Sequence, residues 1–145
     1  MEKVLALLED LRARMRLTVV LDTIENLRRG GRADAFIAAA GRMTQALNIK
    51  LVVNVVDGRL RLLGAARSFT SGLRRVLNQV ERMGSLEHLA VVHTRRRETA
   101  EEMADRLAAR THFPRAHIWL RETGSVLATH AGPGVIGVLA VPPTG

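Results

Sequence analysis

The chain has 145 residues, 47% hydrophobic and 25% charged, the size and composition of one ordinary globular domain able to bury a core. Its 22 Lys and Arg against 14 Asp and Glu give a formal charge of +8, which favours anionic partners, although an arginine-heavy proteome gives the same balance with no function attached. No apolar run reaches about 18 residues and no signal-like leader precedes the first charged segment, so neither a membrane span nor a secretory segment is expected. The absence of cysteine fits a cytoplasmic setting, and three Phe, one Trp and no Tyr leave few surfaces on which nucleic-acid bases could stack.

Residues 2–16 place Val4, Leu8, Leu11 and Met15 on one helical stripe. Residues 17–21 read as a short strand. Asp22 with Glu25 then makes a capping-box-like start for a helix to Arg29, ended by Gly30 and Gly31 with Arg32 just beyond. Asp34 is the expected N-cap of an alanine-rich helix to about Leu47, with Ile37, Ala40, Met43 and Leu47 facing inward. Residues 49–56 and 59–66 are strand-like runs joined by Asp57-Gly58, a strong hairpin signal. Ser68 and Thr70 offer caps for a helix to Met83, whose Leu73, Val76, Leu77 and Val80 make an apolar stripe.

A strand is expected over 86–93, followed by a helix to Arg110 capped by Thr99 and Glu102, with Ala100, Met103, Ala104 and Leu107 inside. Residues 116–121 read as a strand, 125–129 as a single helical turn carrying His130, and 135–141 as a buried strand. Helices alternating with strands around a mixed sheet predict a single α/β domain over 1–145, a two-layer sandwich.

The candidate site is the stretch Ala128 to Gly137, where His130 precedes a Gly132-Pro133-Gly134 corner that lets a ligand approach the main chain. His130 either meets an anion or serves as a structural histidine at that turn. Arg32 either works in the site or neutralises the carboxy-terminal end of the preceding helix, worth about 0.3–1 kcal/mol. His93, before Thr94-Arg95-Arg96-Arg97, reads as the edge of a solvated charge run. His88, His112 and His117 lack metal-ligand spacing, and neither a phosphate-binding Gly-x-x-x-x-Gly-Lys loop nor a nucleophile elbow occurs. No catalysis, cofactor or metal is therefore expected of this chain.

Four ordered segments, Leu27-Arg28-Arg29-Gly30-Gly31-Arg32, Leu47-Asn48-Ile49-Lys50, Asp57-Gly58 and Thr129-His130-Ala131-Gly132-Pro133-Gly134, resemble the carboxy-terminal half of the DegV family of bacterial fatty-acid-binding proteins. The resemblance implies half of a fatty-acid carrier. One long-chain acid would lie between an amino-terminal Rossmann-like domain, without counterpart in this sequence, and the present α/β domain. Its carboxylate would be presented to a fatty acid kinase partner that makes acyl phosphate. It further implies that His130, with Thr129 and Gly132 of the same motif, holds the carboxylate, and that Arg32 and Arg67 are the family's two site arginines. Ala33, Leu51 and Arg67-Ser68-Phe69-Thr70 depart from the family pattern.

Two other readings stand beside this one. The chain could be a stand-alone dimerisation or interaction module, using the stripe on residues 2–16, or a basic nucleic-acid-binding domain. The last ranks lowest, because acidic residues are interleaved with the arginines and no reading helix stands out. Helix faces around Ile37, Met43, Val76 and Leu77 are candidate walls of an acyl tunnel, with core packing as their alternative use.

Overall fold

A computed structural model describes residues 1–29, 38, 48–56 and 58–145. The elements in chain order are α1 (Glu2–Arg14), β1 (Arg16–Leu21), α2 (Glu25–Arg29), β2 (Lys50–Val56), β3 (Arg59–Ala66), α3 (Phe69–Glu81), β4 (His88–His93), α4 (Arg97–Thr111), a 3-10 turn (Arg115–His117), β5 (Trp119–Glu122), α5 (Ser125–Ala131) and β6 (Ile136–Val141). The strands form one six-stranded mixed sheet in the order β3-β2-β1-β6-β4-β5. Every pairing is antiparallel except β4 with β5. This is the α/β architecture expected from the alternation of helices and strands.

The β2–β3 hairpin forms as the turn signal requires, with Gly58 at φ +70°, a dihedral glycine adopts without steric cost. Leu51, Val52 and Val53 are buried in succession, so both faces of β2 are covered. On one face lie α3 and α4. Their Leu73, Val76, Leu77, Val80, Ala100, Met103, Ala104 and Leu107 pack with Val20, Val52, Val91, Ile136 and Val138. Each large apolar side chain buried there contributes about 1.5–3 kcal/mol. Val76 and Leu77 thus belong to the core. Against the opposite face, Ile24, Leu27 and Ala131 pack on Val19, Leu21, Leu51, Val53 and Val135. Thr18, fully buried between strands, donates its hydroxyl to Asn54 Oδ1 at 2.7 Å, which satisfies a group that would otherwise destabilise the core.

Several element ends shift by one or two residues, the strand expected from 86 beginning at His88, and three differences have a visible cause. Thr99 does not cap α4: the helix starts at Arg97, with the Ala100 N–H already bonded to the Arg96 carbonyl. The turn is set earlier by His93, whose Nδ1 accepts the Arg96 N–H at 3.2 Å. Residues 116–118 are not strand, because His117 and Ile118 donate back to Pro114 and Arg115 and close a 3-10 turn before β5. His130 lies within a helix, since α5 runs on to Ala131. The helix expected over 34–47 and the residues Arg32, Ile37 and Met43 lie outside the described residues.

Helix α1 forms as expected but contributes nothing to the core. None of its residues is buried, and Val4, Leu5, Leu7 and Leu8 are each more than half exposed. It is held at one end of the sheet by Arg14, which bonds Asp10, Glu87 and the Pro142 carbonyl; the two carboxylates raise the guanidinium pKa.

Candidate functional site

The other end of the sheet gathers the segments of interest. Leu21 pairs with Leu51, Val20 with Ile136, Ile136 with His93, His93 with Glu122 and Lys50 with Ala66. Asp22, Arg67, Thr94 and Thr123, which follow β1, β3, β4 and β5, therefore share one rim with the residues that lead into β2 and β6. Interstrand spacing near 4.8 Å puts the end of β3 about 14 Å from the start of β6.

On this rim the corner after α5 is built as its sequence demands. Gly132 has φ +82° and ψ 173°, a combination open essentially to glycine, and its N–H donates to the Ala128 carbonyl at 2.8 Å to close the helix. A Cβ on Gly132 would stand 2.8 Å from Asn26 Nδ2 of α2. Gly134 has φ +83°, and its N–H donates to the Thr94 carbonyl at 3.0 Å. A Cβ there would meet Arg96 Nε at 2.9 Å and Asp22 Oδ2 at 3.3 Å. The corner is thus clamped between α2 on one side and the Asp22–Arg96 pair on the other.

His130 sits in the last turn of α5, its side chain half-buried. Helix α5 packs on α2, and α2 leads directly into Gly30-Gly31-Arg32. Thr129 is exposed and donates its hydroxyl to the Ser125 carbonyl at 2.8 Å. That proton is committed, so the hydroxyl offers a carboxylate no donor without breaking the bond. Arg67 is exposed and lines a groove between β3 and α3. The rim therefore holds His130, Thr129, Gly132 and Arg67 at one end of the sheet, with Arg67 set apart from the corner by the width of two intervening strands.

An ion cluster on the rim was not legible in the sequence. The Asp22 carboxylate does not cap α2; Thr23 Oγ1 accepts the Glu25 N–H instead. Asp22 takes Lys50 Nζ at 2.8 Å on one oxygen and Arg96 Nη2 at 3.2 Å on the other. Arg96 also lies 4.2 Å above the Phe69 ring. Two cations on one carboxylate leave a local excess of one positive charge beside Gly134, which favours an anion there. Arg96 is the middle of three consecutive arginines, and it turns inward while Arg95 and Arg97 stay exposed, so the charge run is only partly solvated. Its partner Asp22 is 74 residues away, a separation at which sequence carries no pairing signal. His93 is structural: it is buried, its Nδ1 accepts from Arg96, and its carbonyl accepts from Thr123.

The same fold recurs in solved proteins. A family model described as an uncharacterised protein, DegV family, matches residues 1–143. A DegV domain-containing protein of Deinococcus radiodurans is 34% identical over 149 residues, covering 98% of this chain and 50% of its own length. Among solved structures, a fatty-acid-binding DegV family protein of Thermus thermophilus superposes with a TM-score of 0.81 at 26% identity, covering 99% of this chain and 51% of that one. A DegV family protein of Eubacterium eligens loaded with heptadecanoic acid shares the fold, with a TM-score of 0.81 at 19% identity over 98% of this chain and 50% of its own. The chain spans about half the length of these relatives. A match over nearly every residue, on a sheet whose rim carries the Thr-His-Ala-Gly-Pro-Gly corner, shows that this chain belongs to the DegV family.

Proposed function

We propose that this chain supplies the carboxylate-facing half of a fatty-acid-binding pocket, with His130 as the polar group that meets the acid. The observation that carries the reading is the corner after α5. Two glycines at positive φ turn the backbone just after His130, on a rim where Lys50 and Arg96 share the single carboxylate of Asp22. A neutral imidazole there donates one N–H to a carboxylate; protonated, it makes a charge-assisted bond. Arg32 and Arg67 are the accompanying cations, and Gly132, packed against Asn26 and Thr23 rather than open to a ligand, lets the chain turn where α5 ends. Thr129 takes part by exchanging its bond to Ser125 for one to the acid. A relative loaded with heptadecanoic acid and another described as fatty-acid-binding, each about twice this chain's length, support lipid as the ligand class.

In the finer form of the proposal, the held carboxylate is offered to a fatty acid kinase partner, and the chain itself makes and breaks no bond. Mass spectrometry of lipid extracted from the purified protein tests the binding step, with the chain alone and joined to an upstream domain of a relative. A co-purifying fatty acid that is lost in His130→Ala is the expected result. Equal lipid content with and without the imidazole overturns the site.

The exposed apolar face of α1 favours a second reading. Val4, Leu5 and Leu8 offer an unpartnered stripe at the end of the sheet opposite His130, suited to self-association or to a neighbouring domain. A stable dimer that carries no lipid would support this reading over the first.

A further inference from the structure

Apart from Arg67, which the lipid reading also uses, the groove between β3 and α3 has a chemistry that lipid binding does not use. Its volume is about 990 Å³, and Arg67, Arg74, Arg75 and Arg82 line it with no carboxylate among the described lining residues. Among the described residues none of these four arginines forms an ion pair, whereas Arg14, Arg96, Arg97, Arg110 and Arg115 all do. The floor is shaped for one of them. The β2–β3 register slips between Val52 and Val53, leaving Leu63 as the extra residue of a bulge, and the next residue is Gly64. A Cβ on Gly64 would lie 3.2 Å from Arg75 Nη1, so the missing side chain is what lets that guanidinium rest against the strand. Asn78 accepts from Arg110 through Oδ1, which leaves its amide N–H₂ to donate into the groove.

We propose that this groove binds an extended acidic segment of a partner protein. Among the described residues β3 is an edge strand, with one side of its backbone unpaired in the sheet and able to receive an added strand. Arg75 and Arg82 are seven residues apart on α3 and its cap, about 10 Å along the axis. Same-face residues of an extended chain recur every 6.5–7 Å or so, a step that long guanidinium side chains span, so carboxylates at alternate positions meet successive arginines. Among the described residues no aromatic ring lines the groove, which removes the stacking that single-stranded nucleic acid requires. A concave strand-and-helix channel is also the wrong shape to enter a duplex groove.

The test uses a fluorescent peptide of alternating Glu and Thr, its Gln-for-Glu counterpart, an oligothymidylate and inorganic phosphate, with fatty-acid content measured on the same samples. The Glu peptide should bind at low salt and release as salt is added, while the Gln peptide does not bind. Arg75→Glu with Arg82→Glu, both at exposed positions, should weaken the Glu peptide by about tenfold or more and gain affinity for a Lys and Thr peptide. Gln79→Glu, which leaves every arginine in place, should weaken it as well. Lipid content should not change in either variant, which separates this proposal from the fatty-acid reading. Failure of the Glu peptide to bind, binding indifferent to these substitutions, or displacement by oligothymidylate or phosphate at lower concentration than unlabelled peptide would overturn it.

Discussion

Replacing Gly132 by alanine tests whether the corner beside His130 is built as described. With φ +82° and ψ 173° the position lies where an L-residue costs about 1–3 kcal/mol. The new methyl would also stand 2.8 Å from Asn26 Nδ2, which a flexible side chain can relieve by turning away. Lower entropy of the unfolded chain returns about 0.4–1 kcal/mol. The net loss is then about 1–2 kcal/mol, or roughly 3–6 °C in Tm for a domain of this size. Gly84→Ala is the control: φ is +74°, but nothing lies within 4 Å of the added carbon. Scanning calorimetry should show Gly132→Ala melting below Gly84→Ala, with less co-purified fatty acid. A Tm for Gly132→Ala no lower than the control, together with unchanged lipid, refutes the reasoning about the corner.

Other consequences can be measured on the same preparation. Asp22→Ala leaves Lys50 and Arg96 without their shared carboxylate; the groups are about one-third exposed or less, so urea unfolding should show a loss of about 1–2 kcal/mol. Leu107→Ala opens a cavity beneath α4 at a fully buried position, and a loss of about 2–5 kcal/mol in the same titration is expected. Leu5→Glu with Leu8→Glu on α1 should leave monomer stability within about 0.5 kcal/mol per site. If α1 mediates self-association, analytical ultracentrifugation should show that variant shifted toward monomer.

Much of the fold was legible because local signals agreed with one another. The Leu73, Val76, Leu77, Val80 stripe sits beneath Ser68, which caps α3 as a reciprocal pair with Ser71. The hairpin formed where Gly58 follows Asp57 in the sequence. Boundaries failed where a distant or backbone partner outranked the local motif: His93 set the start of α4 in place of Thr99, and Lys50 with Arg96 drew Asp22 away from α2. At the candidate site, the Gly-Pro-Gly turn could be read from residue types alone, whereas only the family resemblance sets His130 above a structural histidine. The Asp22 cluster could not be read in this way, because it joins elements that only sheet order brings together; the groove arginines lie on consecutive elements, and what the sequence left open is which of them the packing of α3 along β3 gathers on one side.

The position of β1 between β2 and β6 bears on how the chain matures. β1 belongs to the amino-terminal meander, yet its other edge waits for the last strand, with Arg16 opposite Ala140 and Val20 opposite Ile136. Until residues 136–141 leave the ribosome, β1 and β4 have no common neighbour and the central apolar strands stay open to water. Such long-range pairing is slow and exposes sticky edges in the meantime. Truncation before Ile136 should therefore yield two loosely associated halves prone to precipitation, rather than a slightly shortened version of the native protein.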